Sequence, residues 1–259
     1  MEKIKLGILG NGYLSDIIAQ AWQDGLLPEY ELIGIAGRTK EKTDAIAAKF
    51  GVPAYYSAAA LVNAKPQIIA EAASVASVKE IAVEALSRGI SMAVLSIGAL
   101  ADEAFRLAVQ EAAKKGGAKM HIASGAIGGF DVLRTIALMG QAKVSFETHK
   151  GPGSLQNTPL YKEEMADTAV QAFAGTATEA IALLPTKVNV AVAASLAAAD
   201  PARTQVSIHS VPGFVGDDHK ITAEIDGVKA VLDIYSSTSA IAGWSVVSLL
   251  QNLVNPIMF

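Results

Sequence analysis

A histidine among charged neighbours stands in Gly216-Asp217-Asp218-His219-Lys220-Ile221. Imidazole exchanges a proton near neutral pH, so a histidine here suits acid–base work at a substrate nitrogen or oxygen. The polar neighbours predict a loop entering a strand, with the ring open to a cleft. Asp217 or Asp218 would orient that ring or raise its pKa. A surface histidine in a polar loop has the same local composition. His149 and His209 end predicted strands and His121 lies inside one, which makes them weaker candidates. No histidine pair has zinc-motif spacing such as H-E-x-x-H, and the chain contains no cysteine. Thiolate nucleophiles, disulfides and cysteine-held metals are excluded, and no metal is called for.

A second group of residues suits phosphate. Gly10-Asn11-Gly12-Tyr13-Leu14-Ser15 follows an apolar run at 4–9 and precedes a helical stretch to about Trp22. This is G-x-G-x-x-S, where the dinucleotide fingerprint ends in glycine or alanine. Gly10 permits the tight turn, and Gly12 lets backbone N–H groups approach a pyrophosphate at the positive helix end. Ser15 takes the place of a residue whose task is close helix–strand packing. The next strand, 30–36, ends in Gly37-Arg38-Thr39 with no carboxylate for the ribose hydroxyls. Arg38 offers a planar fork to a 2′-phosphate, which favours NADP over NAD and leaves dual use open; a solvated loop arginine is the alternative.

These residues need a scaffold that delivers them to one edge. Strands at 4–9, 30–36, 67–72, 91–95 and 119–122 alternate with helices at 41–50, 75–88 and from Asp102 to near Lys115. Gly89 stops the second of these helices, and Gly116-Gly117 the third. That rhythm predicts an α/β, Rossmann-type, doubly wound parallel sheet. Ligands gather at the carboxyl ends of such strands, where Gly10, Arg38, Ala73, Ser74 and Ser96 all fall. The rhythm then changes. A helix at 131–139, a strand at 143–149 and an irregular stretch at 151–168 come first. A capping box at Thr176-Ala177-Thr178-Glu179 opens a helix towards Leu184, which Pro185 breaks, and a further helix spans 188–198. A strand at 204–209 and a hairpin of 219–225 with 228–235 around Asp226-Gly227 complete a second, α+β domain on a largely antiparallel sheet. The expected division is 1–122, completed by a C-terminal helical segment at 239–259, and 123–238 for substrate and dimerisation.

Composition narrows the function classes. Apolar residues make up 51% of the 259 and charged ones 18%, enough for a sizeable core and too few charges for disorder. The net charge of −4 carries no nucleic-acid footprint. The apolar run at 190–199 is too short to span a bilayer, so no membrane is expected. No basic leader precedes the first strand, which predicts a cytoplasmic protein.

Between the two rhythms lies Ala123-Ser124-Gly125-Ala126-Ile127-Gly128-Gly129-Phe130-Asp131. Other blocks follow the same order: Glu71-Ala72-Ala73-Ser74, Ser96-Ile97-Gly98-Ala99-Leu100-Ala101-Asp102, Phe173-x-Gly175-x-Ala177-x-Glu179-Ala180 and Val188-Asn189-Val190-Ala191. Together they resemble the L-aspartate dehydrogenases over essentially the whole chain. The resemblance implies oxidation of L-aspartate to iminoaspartate, hydrolysed to oxaloacetate and ammonia, with reduction of NAD or NADP. It also implies the reverse reductive amination, a link in some members to NAD biosynthesis, and a homodimer through the second-domain sheet. The family's catalytic histidine, in an N-x-H-E-I pattern, falls on His219. Its cofactor contacts fall on Ala126 and Asn189, the latter suited to the nicotinamide amide. Gly10, Asn11, Gly12, Tyr13, Leu14, Arg38, Thr39, Ala73, Ser74 and Ser96 complete the expected cofactor set. Ser124, Gly125, Lys150 and Lys220 are the expected substrate contacts.

The chain departs from the family pattern in three places. An R-K-P-P run reads His149-Lys150-Gly151-Pro152, losing an arginine for a substrate carboxylate. Asp217 and Lys220 replace the asparagine and glutamate around the histidine, and Val75 replaces a glutamine. Asp217 is expected to raise the pKa of His219 and to disfavour a dicarboxylate, while Lys220 should point to the other strand face. The resemblance implies L-aspartate or a related small acidic amino acid as substrate, and these departures bear on aspartate itself more than on the reaction type. The alternatives are an imine or 2-oxo-acid reductase for a less acidic substrate, or an NADP(H)-binding sensor without turnover.

Overall fold

The computed structural model describes residues 2–184, 188–198 and 200–258. The chain divides into two units, Met1–Gly125 with Ala240–Phe259, and Ala126–Ser239. The first begins with β1 (Ile4–Leu9), α1 (Tyr13–Gln23), β2 (Tyr30–Ala36), α2 (Lys40–Phe50), β3 (Ala54–Tyr55) and α3 (Ala58–Asn63). It continues with β4 (Ile68–Glu71), α4 (Val75–Ser87), β5 (Ser91–Val94), a 3-10 turn (Ile97–Ala101), α5 (Glu103–Gly116) and β6 (Met120–Ile122). The second unit holds α6 (Phe130–Met139), β7 (Lys143–Lys150), β8 (Val170–Thr176), α7 (Ala177–Leu183) and α8 (Asn189–Ala198). Then come β9 (Gln205–Ser210), β10 (Asp217–Ile225) and β11 (Val228–Ser236), before α9 (Ala240–Asn252) returns to the first unit.

The first sheet has the order β3-β2-β1-β4-β5-β6 with every pair parallel, the doubly wound arrangement expected from the sequence. Its strands are buried on both faces, so they read as apolar runs: Leu6, Ile8, Ile35, Ile69 and Val94 are all inaccessible. Helix α9 packs beside α1, where Gly243 lets Ile17 come close, and buries Val246 and Leu250. Tyr30 on β2 donates its hydroxyl to Leu250 O at 2.7 Å, and burial lifts that phenol to about 12. Local signals account for the helix limits. Asp102 and Ser74 accept from Phe105 and Ser77 N–H groups as N-caps, and Gly117 ends α5 in the left-handed region. Segment 54–63, carrying β3 and α3, was not anticipated: two strand residues and six helical ones are too short for periodicity to show.

In the second sheet the order is β11-β10-β7-β9-β8, antiparallel throughout except for the β7–β9 pair. Helices α6 and α8 pack together over one face. That face takes Val144, Phe146, Ile208 and Ile221; the other carries Ser145, Glu147, Lys220 and Glu224. The capping box at Thr176 forms with both of its hydrogen bonds, and Asp226-Gly227 closes a two-residue turn between Ile225 and Val228. Stretch 151–168 is irregular as expected, apart from two 3-10 turns, and is anchored by buried Leu155 and Met165. Strand β8 escaped the sequence pattern because a bulge between Gln171 and Phe173 breaks its alternation. The break assigned to Pro185, like the last residue of the predicted segment 239–259, lies outside the described residues.

Strand β10 corrects one expectation. It starts at Asp217, two residues before the predicted start, because Asp217 and Asp218 are paired on both sides, with β7 and β11. Aspartate is a poor strand former, and here a ladder on each flank overrides that preference.

Candidate active site

In the first unit, the turn after β1, the loop after β2 and the loop after β4 enclose a cleft of about 460 Å³. Gly10, Asn11, Gly12, Arg38, Thr39, Ala73 and Ser74 line it together. Gly10 has φ +135°, and a Cβ there would lie 2.5 Å from both Ala72 O and Ser15 Oγ, so only glycine fits against the β4–α4 loop. Ser15 is fully buried and its hydroxyl has no hydrogen-bond partner among the described residues. Gly12 is the N-cap of α1 and no side chain caps that helix. Its first N–H groups and the positive end of its dipole suit a pyrophosphate. Tyr13, Leu14 and Ser96 do not line the cleft.

Two side chains hold the cleft loops, and the sequence hid both roles. Asn11, expected to touch the cofactor, spends its carboxamide on the β2–α2 loop, donating to Thr39 O at 3.2 Å and Thr43 Oγ1 at 3.0 Å. A Cβ at Gly37 would fall 2.4 Å from the Asn11 amide nitrogen, so that glycine makes room for the lock. Arg38, carried by the same loop, is exposed and has no ion-pair partner among the described residues. Glu71, the last residue of β4, is fully buried. It accepts from Ala73 N at 2.8 Å, Ser96 Oγ at 2.8 Å and Ser96 N at 3.0 Å. This explains why Ser96 is absent from the cleft: its N–H and hydroxyl both serve Glu71. Burial raises the Glu71 pKa, and the bonds from Ser96 and Ala73 act against that rise. A carboxylate ending an otherwise apolar strand was the signal available for it.

Within the second unit, His219 is only 5% exposed and lies inside β10, not in a loop open to a cleft. Thr148, its register partner on β7, holds it: Oγ1 lies 2.8 Å from Nδ1. Neither Asp217 nor Asp218 orients the ring. Phe146 packs against it with centroids 5.6 Å apart. Burial, helped by the Lys150 charge, pushes the pKa of His219 down to about 4, and the opposing pull of Asp217 is too weak to reverse this. Lys150, paired with Asp217 at 3.1 Å, shares the face of His219 through strand alternation. Ser210, opposite Lys150 on β9, is fully buried with its hydroxyl unpartnered among the described residues. Lys220 is on the other face, 3.7 Å from Asp233, and so is not grouped with His219. Ser124 and Gly125 close the first unit, Gly125 N–H donating to Ser245 Oγ at 3.0 Å. Ala126 opens the second unit and Asn189 is the first residue of α8.

Two family models match in succession. Residues 6–123 fit the homoserine dehydrogenase NAD binding domain, and residues 131–253 fit the C-terminal domain of aspartate dehydrogenase. The chain is 31% identical to an L-aspartate dehydrogenase of Methanosarcina mazei and 33% identical to one of Methanospirillum hungatei, covering 98% of each chain in both comparisons. Its fold is similar to the crystal structure of aspartate dehydrogenase from Thermotoga maritima, with a TM-score of 0.76, 24% identity and 99% of each chain covered.

Proposed function

The chain belongs to the L-aspartate dehydrogenase family, a family of nicotinamide-dependent oxidoreductases, and on that footing we propose that it oxidises L-aspartate to iminoaspartate and on to oxaloacetate and ammonia, and runs in reverse as a reductive aminase. The observation that carries the proposal is a buried histidine kept neutral and held by Thr148, within the stretch matched by the aspartate dehydrogenase C-terminal model.

Gly10, Gly12, Thr39 and Ala73 would hold the dinucleotide, and the uncapped end of α1 its pyrophosphate. A bound nicotinamide supplies the acceptor for the hydride that leaves the substrate α-carbon. Asn11 and Glu71 act as positioning residues, fixing the loops on either side. The Arg38 guanidinium lining the cleft, without an ion-pair partner among the described residues and with no carboxylate at the end of β2, favours NADP. Ala126 and Asn189 are the proposed nicotinamide contacts.

His219 performs the proton work. When Nδ1–H donates to Thr148 Oγ1, Nε2 keeps its lone pair. That nitrogen takes a proton from the substrate amine and passes it to solvent; neutral again, it takes one from the water that attacks the imine carbon and hands it to the departing ammonia. Burial disfavours the charged ring, so the base is in its working form at neutral pH. Lys150 faces the same way as His219 and offers its ammonium to a substrate carboxylate, with Ser124 and Gly125 as further proposed contacts. The enzyme is proposed to be a cytoplasmic homodimer that pairs through its second sheet and feeds NAD biosynthesis; light scattering should return twice the 26.8 kDa chain mass.

A panel of 2-oxo acids offered with ammonium and reduced cofactor tests the substrate. Oxaloacetate should be aminated fastest. A faster rate with pyruvate would move the assignment to the less acidic alternative.

A further inference from the structure

The second sheet carries a cluster of ligating side chains on the face away from His219. Parallel pairing of β7 with β9 sets His149 opposite His209, and antiparallel pairing of β7 with β10 sets Asp218 opposite His149. Glu147, two residues before His149, shares its face. The candidate ligand atoms of Glu147, His149 and His209 all lie within 4.8 Å of one another, and all three residues are half-buried. The two imidazole rings stack with centroids 4.7 Å apart. His149 Nε2 is 3.6 Å from Glu147 Oε1, while its Nδ1 faces Asp218 Oδ2 at 4.0 Å.

We propose that Glu147, His149 and His209 form a binding site for a divalent transition metal of the Zn²⁺ class. Two imidazoles and one carboxylate are a borderline nitrogen–oxygen set that suits zinc, with bonds of about 2.0–2.2 Å and a fourth position left to water. The Glu147 side chain is 46% exposed, which leaves it room to rotate towards the two imidazoles. Asp218 is the outer partner of the site. Its carboxylate, 4.0 Å from Nδ1, would accept a hydrogen bond from that nitrogen after a small rotation and so leave Nε2 for the metal. The sequence could not show this site: Glu147 and His149 are 62 and 60 residues from His209 in the chain, and strand register alone joins them. The bound ion ties together β7 and β9, the parallel pair of this sheet. Since Thr148 and Lys150 flank His149 on β7, the ion stiffens the strand that holds His219 from behind.

Calorimetric titration of the chelator-treated full chain with Zn²⁺ at neutral pH tests the proposal independently of turnover. One Zn²⁺ per chain should bind, and thermal unfolding should move to higher temperature as the ion is added. His209→Gln and Glu147→Gln should each abolish both effects. Asp218→Asn should weaken binding by about 10- to 100-fold. His121→Gln, in the first unit, should change neither. Absence of Zn²⁺ binding by the native chain, or binding that survives either His209→Gln or Glu147→Gln, would overturn the assignment.

Discussion

Thr148 Oγ1 lies 2.8 Å from His219 Nδ1 across the β7–β10 pair, and both side chains are buried. The threonine thereby fixes which ring nitrogen is available for chemistry. Thr148→Val keeps the shape and removes the hydroxyl, leaving a buried ring nitrogen without its partner, a loss of about 1–3 kcal/mol. We expect kcat to fall about 10- to 100-fold with the cofactor Kd unchanged; steady-state kinetics and cofactor fluorescence titration separate the two. A drop in cofactor affinity of the same size would assign Thr148 a merely structural role.

The His219 ring should titrate near 4, which NMR of the imidazole signals measures directly. Lys150 opposes protonation and Asp217 favours it. Lys150→Gln should therefore raise the midpoint and Asp217→Asn should lower it. The sign for stability follows from linkage. An unfolded histidine takes up its proton near 6.5 and the folded one near 4. This group's contribution is complete above 6.5 and is lost as pH falls towards 4, so chemical denaturation should show stability declining across that window. A midpoint at 6.5 in the folded protein would contradict the burial argument.

Glu71→Gln replaces one accepting oxygen with a donor that faces the Ser96 or Ala73 donors. The cost of buried groups left unpaired, about 1–3 kcal/mol each, should lower Tm by several degrees. Cofactor Kd should rise at the same time, because the β4–α4 loop loses its tether. Differential scanning calorimetry and a binding titration check both outcomes.

Arg38→Ala should raise the Kd for NADPH by about one to two orders of magnitude, the scale of a lost charge-assisted pair, and leave NADH nearly unaffected. Equal changes for both cofactors would remove Arg38 from the 2′-phosphate reading.

What the sequence made legible was local. The capping box at Thr176, the helix start at Asp102 and the Asp226-Gly227 turn depend on residues within a few positions of each other, and all three form. The apolar runs of the first sheet were equally plain, because burial on both faces leaves no other reading. What stayed hidden depends on register. Thr148 reaches His219 across 71 residues, whereas spacing along the chain points only to the adjacent Asp217 and Asp218. Ser96 looked available at a strand end, and only the fold shows Glu71 claiming it. His149 and His209 look like unremarkable strand ends until β7 and β9 lie side by side.

The central claim is tested most directly by following nicotinamide absorbance while L-aspartate is offered to the native chain and to His219→Ala, with NADP and NAD in turn. The native enzyme should reduce at least one cofactor, and His219→Ala should lose about 100-fold or more in kcat, the scale of a removed acid–base group. No reduction of either cofactor by the native enzyme, or an unchanged rate in His219→Ala, would contradict the account.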